Sequence, residues 1–350
     1  MRVVFKKEGR MSKKELSVVI PAYNAENFIE RAINSILFQK IEQEKLEIIV
    51  VENGSNDNTT SVVEAISKKV SCVKLMHSKK GVSNARNKGI DEATGKWLMF
   101  LDADDILIDE VTADELKVIN EENADIFFYG HRTVAGDKPV CDDSREEIFT
   151  EAKMESCKVK VLKNPTRYMQ AISKIYSRKF LCENEIKFNS SLRLSEDSEF
   201  LFRCLQKAKC VQFKNKIIYE AIPNTSSATR KLDGSKMQDY IYALKETNNY
   251  MQRESNVVRE AFLIYILMHM NIAMVREVFS ISNKEAFGDK YKAMCRAIKE
   301  PIFKNAIAST KMRECTSLRM APILCMKIKC RPFAAFIYIV RALQNHIREN

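Results

Sequence analysis

Asp102, Asp104 and Asp105 fall within four positions of one another at the end of an apolar run, in the stretch FLDADDIL. Carboxylates this close repel each other unless something positive lies between them. Alternate residues at a strand end point to the same side, so Asp102 and Asp104 are placed to share one cation. Hard carboxylate oxygens suit Mg2+ or Mn2+, which keep bound water and add phosphate oxygens from a substrate. A cation held there would neutralise charge developing on a departing diphosphate. The competing reading of the triplet is a solvated acidic turn with Asp105 as a helix cap.

Other polar residues of the first hundred positions have two readings each. Arg86 lies one and a half turns into the segment after Gly81, where a cation reaches a phosphate or merely faces solvent. Tyr23 follows the first apolar run, as a ring to stack on a base or as a hydrophobic lid. Glu52 and Asn53 end the second run, as readers of a base edge and ribose hydroxyls or as turn chemistry within NGSND.

The elements that must position these residues are legible in the spacing. LSVVI closed by Pro21, LEIIVVENGSNDNT, CVKLMHS and KWLMFLDADD read as four strands; NFIERAINSIL, TTSVVEAISKKV and GVSNARNKGIDEAT read as the helices between them. Strand and helix in alternation predict a doubly wound α/β sheet. Ligands of such sheets bind at the carboxyl ends of the strands, where PAYN, ENGSND and DADD all fall. A helix near 112–121 and a strand at 124–130 are expected next. Residues 135–165 read as irregular, EDSEFLFRCLQKA as an amphipathic helix, CVQFKNKIIYEAI as a hairpin or strand pair, and 223–235 as a loop. Helices are expected from 236 onward. A Gly-rich dinucleotide fingerprint and a P-loop lysine are both absent, which argues against a dehydrogenase and an NTPase.

Composition sets the frame. The chain has 350 residues, 45% hydrophobic and 29% charged, with few glycines and prolines, as in a globular protein with a real core. Ten cysteines without metal-ligand spacing read as free thiols in a reducing compartment. The start, MRVVFKKEGRMSKKE, lacks the apolar core of a signal peptide, and Met11 offers a second start five residues before the first strand. The net charge of +11 is concentrated at the C-terminal end, where residues 284–350 hold 14 Lys and Arg against 5 Asp and Glu. No nucleic-acid motif accompanies that charge.

Taken together, SVVIPAYNAENFIERAINSIL, EIIVVENGSNDNT, GVSNARNKGIDEATGKWLMFLDADD and LRLSEDSEFLFRCL resemble glycosyltransferase family 2, the inverting GT-A enzymes. The segments SKIYSRKFL and IKFNSSLRLSED resemble the second half of that domain in bacterial polysaccharide transferases. The resemblance implies a GT-A domain over residues 15–232, a Rossmann-like mixed α/β sheet with helices on both faces. An N-terminal extension, 1–14, would precede it, and a helical, basic region, 233–350, would follow. It implies a nucleotide-sugar donor, often a UDP-sugar, bound with Mg or Mn. The acceptor would be a hydroxyl of a glycan or lipid-linked saccharide in surface polysaccharide synthesis, and the sugar a hexose or N-acetylhexosamine.

By the same resemblance Pro21, Ala22 and Tyr23 would line the base pocket. Glu52 and Asn53 stand where the family has two Asp, so the charge is kept at the first position and replaced by an amide at the second. Arg86 would approach the pyrophosphate or base. Asp102 and Ala103 would lie along the donor, and Asp104 would ligate the metal together with Asp102. Inversion needs a base that takes the acceptor hydroxyl proton opposite the leaving group. Asp197 would be that base and Glu196 an orienting group; without the resemblance the pair reads equally as charge complementing a helix dipole. Tyr219 keeps the family's aromatic strand end, whereas Glu220 and Ala221 depart from it. A GT-A-like nucleotidyltransferase, a catalytically silent carbohydrate-binding or scaffold protein, and a basic nucleic-acid binder are the alternatives.

In the C-terminal region AFLIYILMHMNIAMV is fifteen residues, short of the roughly 20 a membrane span needs, and reads as a core helix with a packed His269. SLRMAPILCMKIKCRPFAAFIYIVRALQNHI, cut by Pro322 and Pro332, mixes apolar blocks with cations, as interfacial helices do or as basic helices covering the domain would. It suits a cytoplasmic enzyme lying against the inner membrane face.

Overall fold

The computed structural model describes residues 14–108, 113–133, 146–223 and 236–349. In chain order the first part runs β1 (Leu16–Ala22), α1 (Ile29–Leu37), β2 (Leu46–Glu52), α2 (Thr59–Ser67), β3 (Val73–His77), α3 (Val82–Glu92) and β4 (Trp97–Phe100). Next come β5 (Ile106–Leu107), α4 (Ala113–Glu121), β6 (Ile126–Thr133), β7 (Glu147–Thr150), α5 (Met154–Lys163), α6 (Pro165–Tyr168), β8 (Lys174–Ser177), α7 (Arg178–Glu183), α8 (Glu196–Lys207) and β9 (Cys210–Ala221). Helices then follow alone: α9 (Lys236–Tyr250), α10 (Asn256–Ala273), α11 (Phe287–Ala297), α12 (Pro301–Ser309), α13 (Ala321–Lys327) and α14 (Arg331–Glu349).

Among the described residues nine strands form one mixed sheet in the order β3-β2-β1-β4-β8-β6-β9-β5, with β7 on β9. The first four strands are parallel, β8 runs antiparallel between β4 and β6, and β6 and β9 are parallel. Every residue of β1 and β2 is buried, which is why these strands are apolar runs without alternation: both faces are covered. The polar exceptions are paired, Ser17 donating to Glu47 Oε2 at 2.6 Å and Lys74 to Glu47 Oε1 at 2.6 Å. From β1 the chain builds β2 on one side and β4 on the other, so the sheet has its switch point beside β1, the expected place for a ligand crevice.

One face carries α1 with β1 and β2 residues in an apolar cluster from Leu16 to Tyr219. The other carries a single larger cluster from Val19 through Phe200 to Tyr338. The C-terminal helices thus share the core of the sheet's back layer. A Cβ on Gly89 would collide with Val19, so α3 lies unusually close on β1, and Arg86 one turn earlier is carried in with it.

Three expectations differ from the structure. CVQFKNKIIYEAI is one continuous strand, β9, whose register against β6 shifts around Gly130. Within 135–165, β7 and α5 are regular elements, α5 burying Met154, Cys157, Val161 and Leu162. The helix holding AFLIYILMHMNIAMV is longer than that run: with a π turn it extends over Asn256–Val278, long and apolar enough for a span by composition, but 72% of its apolar window is buried. His269 is buried there, its Nδ1 3.0 Å from Tyr265 O. Pro322 and Pro332 stand in the first turns of α13 and α14. The nine described cysteines are free. The 1–10 start and most of the 223–235 loop lie outside the described residues.

Candidate active site

The acids of β4 and α8 meet around one cation, and that cation belongs to the protein. Arg86, 3% exposed, donates from Nη2 to Asp102 Oδ1 at 3.0 Å and from Nη1 to Asp197 Oδ1 at 2.5 Å and Glu196 Oε1 at 3.2 Å. Burial works against the guanidinium's charge, but Asp197, Asp102 and Glu196 outweigh it and raise its pKa. Its Nε is buried without a partner among the described residues. Arg86 therefore does not project toward solvent from α3; it ties the end of β4 to the start of α8.

Aromatic packing holds that geometry. Phe188 stacks on Phe200 at 3.9 Å between centroids, and both meet Phe100 edge-on at 5.3 and 6.1 Å. Phe100 ends β4 and Phe200 lies one turn into α8, so the stack seats one acid pair beside the other. Arg86 lies over the Phe188 ring at 5.2 Å, a contact worth more in a desolvated place. Ser195, just before α8, has φ of 62°, a conformation a non-glycine residue keeps only where its surroundings over-determine it.

Glu196 and Asp197 are both pushed up from ordinary carboxylate pKa values by burial, Glu196 further by its neighbour Asp197. Arg86 pulls both back toward the charged form. Asp197 Oδ2 also accepts the Ala171 N–H at 3.3 Å.

Asp105 is no helix cap. It is buried and precedes β5, accepting the Ile222 N–H at 2.8 Å and bonding the Tyr219 hydroxyl. Burial first, then the charge of Asp102, pushes its carboxyl up to about 7. Asp105 thus fastens the end of β9 to the acidic turn. Ala103 is buried; Asp104 is partly exposed, and its backbone carbonyl accepts from Arg31 at 2.7 Å. Among the described residues no three His, Cys, Asp or Glu form a metal-binding group.

The ends of β1 and β2 form a separate polar turn. Pro21 and Ala22 are buried in β1, and Ala22 O accepts the Asn53 N–H at 3.1 Å. Glu52 is turned inward, accepting the N–H groups of Gly54, at 2.6 Å, and Ser55, with His77 at 3.1 Å. Burial would raise its pKa, but these bonds lower it on balance. Asn53 is buried, and its amide oxygen has no partner among the described residues. Tyr23 is 42% exposed and carries the Lys80 ammonium on its hydroxyl at 3.1 Å. The site residues read from the sequence are therefore gathered at one sheet edge, in two groups. Lys174, the Ala171 N–H and the Phe188 stack were not foreseen.

A mixed sheet with its switch point at β1, acids at the ends of β2 and β4, and a returning acid pair on α8 defines the GT-A class of nucleotide-sugar transferases. Residues 17–181 match the model of glycosyl transferase family 2, so this part of the chain is a glycosyltransferase domain of that family. It is 24% identical over 343 residues to EpsH of Bacillus subtilis (strain 168), covering 93% of this chain and 95% of that protein. It is 26% identical over 228 residues to the poly(ribitol-phosphate) beta-N-acetylglucosaminyltransferase TarP of Staphylococcus aureus (strain N315), covering 64% of this chain and 67% of that one. The crystal structure of S. aureus TarS 1-349 in complex with UDP-GlcNAc shares the fold, with a TM-score of 0.66 at 19% identity over 95% of this chain and 91% of that one.

Proposed function

We propose that the protein is an inverting, metal-dependent transferase that moves a sugar from a UDP-sugar, UDP-N-acetylglucosamine foremost, to a hydroxyl of a glycan or lipid-linked saccharide. The observation that carries this reading is the Arg86 bridge, which brings Glu196 and Asp197 beside Asp102. A donor lying along the ends of β1, β2 and β4 would present its anomeric carbon to the α8 acids. Asp197 takes the acceptor proton as the hydroxyl oxygen attacks, and Glu196 orients that hydroxyl. Asn53 reads the base: its unpartnered amide oxygen suits the N3–H of uracil. Tyr23, beside it, supplies the stacking face, and Pro21 and Ala22 close the pocket wall.

The metal belongs with this reading because the donor set fits it. Asp102 is a third exposed at its side chain while engaged by Arg86, and Asp104 is partly exposed in the same turn. Two hard carboxylates make an incomplete shell of the kind Mg2+ and Mn2+ fill with water and substrate oxygens. The ion would supply charge neutralisation at the leaving diphosphate. Ala103 holds the two ligands in alternation.

The acceptor side draws on α14. Phe333, Phe336, Leu343 and Ile347, at steps of three, seven and four residues, share one exposed face opposite the buried Ala334, Ala335, Tyr338 and Ala342. With the excess of cations over 284–350, this face suits an anionic inner-leaflet surface that carries a lipid-linked acceptor. Sedimentation with phosphatidylglycerol and with phosphatidylcholine vesicles tests it: binding to the first alone, lost in Phe336→Glu, is expected, and equal indifference to both refutes it.

Incubation with UDP-N-acetylglucosamine, Mn2+ and a polyol-phosphate or lipid-linked acceptor should release UDP and form a product of inverted anomeric configuration by proton NMR. A product with retained configuration would overturn the single-displacement reading.

A further inference from the structure

Asp197 has a second partner besides Arg86. Its Oδ2 accepts the N–H of Ala171 at 3.3 Å, in the short connection between α6 and β8. The carbonyls around that N–H are each tied down. The Lys174 ammonium donates to Gln170 O at 2.6 Å and to Ile172 O at 3.2 Å. The Tyr176 hydroxyl donates to Ala171 O at 3.0 Å, and the Tyr129 N–H to Ser173 O at 3.0 Å. Ser173 has φ of 53°, a backbone state that persists where surrounding bonds enforce it.

Lys174 itself is 1% exposed, and its ammonium lies 4.7 Å over the Phe128 ring. Buried charges are costly, and replacing them with apolar residues of similar volume is often neutral or stabilising. A methionine would fill this space; it would gather no carbonyls and place no charge behind Asp197.

We propose that Lys174 is a positioning residue for the proton-accepting carboxylate: by gathering the Gln170 and Ile172 carbonyls it fixes the Ala171 N–H on Asp197 and keeps a positive charge at its back. The inference rests on the reading of Asp197 as the base. A cation in a low-dielectric interior favours the ionised form of a nearby carboxylate, the form that accepts a proton. The mutual influence is visible from both sides: burial raises Asp197 while Arg86 and Lys174 lower it, and burial draws Lys174 down to about 7 while Asp197 opposes that. The other titratable groups acting with this ammonium are Cys204 on α8 and His131 on β6, and Arg167 on α6 acts on His131 in turn.

The test compares Lys174→Met, Tyr176→Phe and Asp197→Asn in the full chain. It uses whichever UDP-, GDP-, CDP- or dTDP-sugar turns over, with kcat and donor KM followed against pH and melting temperature recorded. Lys174→Met should melt no lower than the parent and keep donor KM within about twofold, while kcat falls by the ~100-fold typical of a disturbed general base. The acidic limb of its kcat profile should move upward in pH, by about one unit, because the charge that helps ionise Asp197 is gone. Tyr176→Phe should lower kcat by a smaller factor at unchanged donor KM, and it decides the matter should Lys174→Met fail to fold. An unmoved acidic limb, or kcat falling only in step with melting temperature, overturns the proposal. Asp197→Asn separates the two readings. If it retains near-full kcat, the base assignment fails; if it is inactive while Lys174→Met behaves as the parent, only the role of Lys174 fails.

Discussion

The two polar groups at the sheet edge are built in opposite ways. At the end of β2, Glu52 is satisfied by Gly54 and Ser55, two and three positions along the chain, and by His77 at the end of the neighbouring strand. Around Arg86, the carboxylates come from 16, 110 and 111 positions away. The first is a turn that completes itself, and its carboxylate is held below the ordinary range. The second exists only when α3, β4 and α8 are packed together, and burial holds its α8 carboxylates above that range. A self-completed turn offers a fixed surface to a ligand. A shared cation among three acids is poised to be redistributed, because whatever positive charge joins Asp102 competes with Arg86 for it.

The largest expected effect sharpens the second group. Asp197→Asn should lower kcat by about 1,000-fold or more while leaving nucleotide affinity unchanged, since removal of a general base acts on the proton transfer step; steady-state kinetics beside calorimetric binding check this. Asp104→Ala should cost about 100- to 1,000-fold in turnover, as loss of a preorganised electrostatic contact does, and should abolish the metal dependence of nucleotide binding.

Arg86→Met tests whether the cluster is structural as well. Removing one partner of buried charges costs about 3–5 kcal/mol, a drop in melting temperature on the order of 10 °C. The sign of its pH dependence follows from the raised carboxyls. A folded carboxyl that keeps its proton above the unfolded pKa loses stability as pH rises through that window. Without the guanidinium both carboxyls rise further, so the gap in melting temperature between variant and parent should narrow as pH falls from about 8 to 5. Glu52→Gln, the smallest effect, should also narrow its gap to the parent toward acid, but in a lower pH window, because the Glu52 carboxyl is depressed where those on α8 are raised. Its stabilisation is present above the ordinary glutamate pKa and lost as pH falls through the depressed one, so the variant should lose about 1 kcal/mol near neutrality and none in acid. If both gaps close in one pH window, the contrast between the two groups collapses.

The same contrast explains what was legible in the amino-acid order. Strands β1 and β2 read correctly because buried parallel strands are apolar throughout, and the acids stood out because they end such runs. β9 read as a hairpin because Lys214, Asn215 and Lys216 interrupt its apolar pattern; the structure keeps the strand whole by shifting the β6 register there. Helix α5 was hidden because its buried residues are only Met154, Cys157, Val161 and Leu162 amid lysines. The membership of Asp102, Glu196 and Asp197 in one site could be expected from residue types and family likeness. Their shared partner could not, because a Phe100, Phe188 and Phe200 stack sets that distance and no local spacing records it. Lys174 was overlooked for a related reason: a lysine in the sequence reads as surface until the carbonyls that surround it are known.

The most direct test of the donor site is calorimetric titration of the protein with UDP, GDP, CDP and dTDP, each with and without Mn2+, repeated on Asp104→Ala. The account predicts that UDP binds, that Mn2+ strengthens the binding by tenfold or more, about 1.4 kcal/mol, and that Asp104→Ala abolishes that gain. Equal indifference to all four nucleotides, or UDP affinity untouched by both Mn2+ and Asp104→Ala, would contradict it.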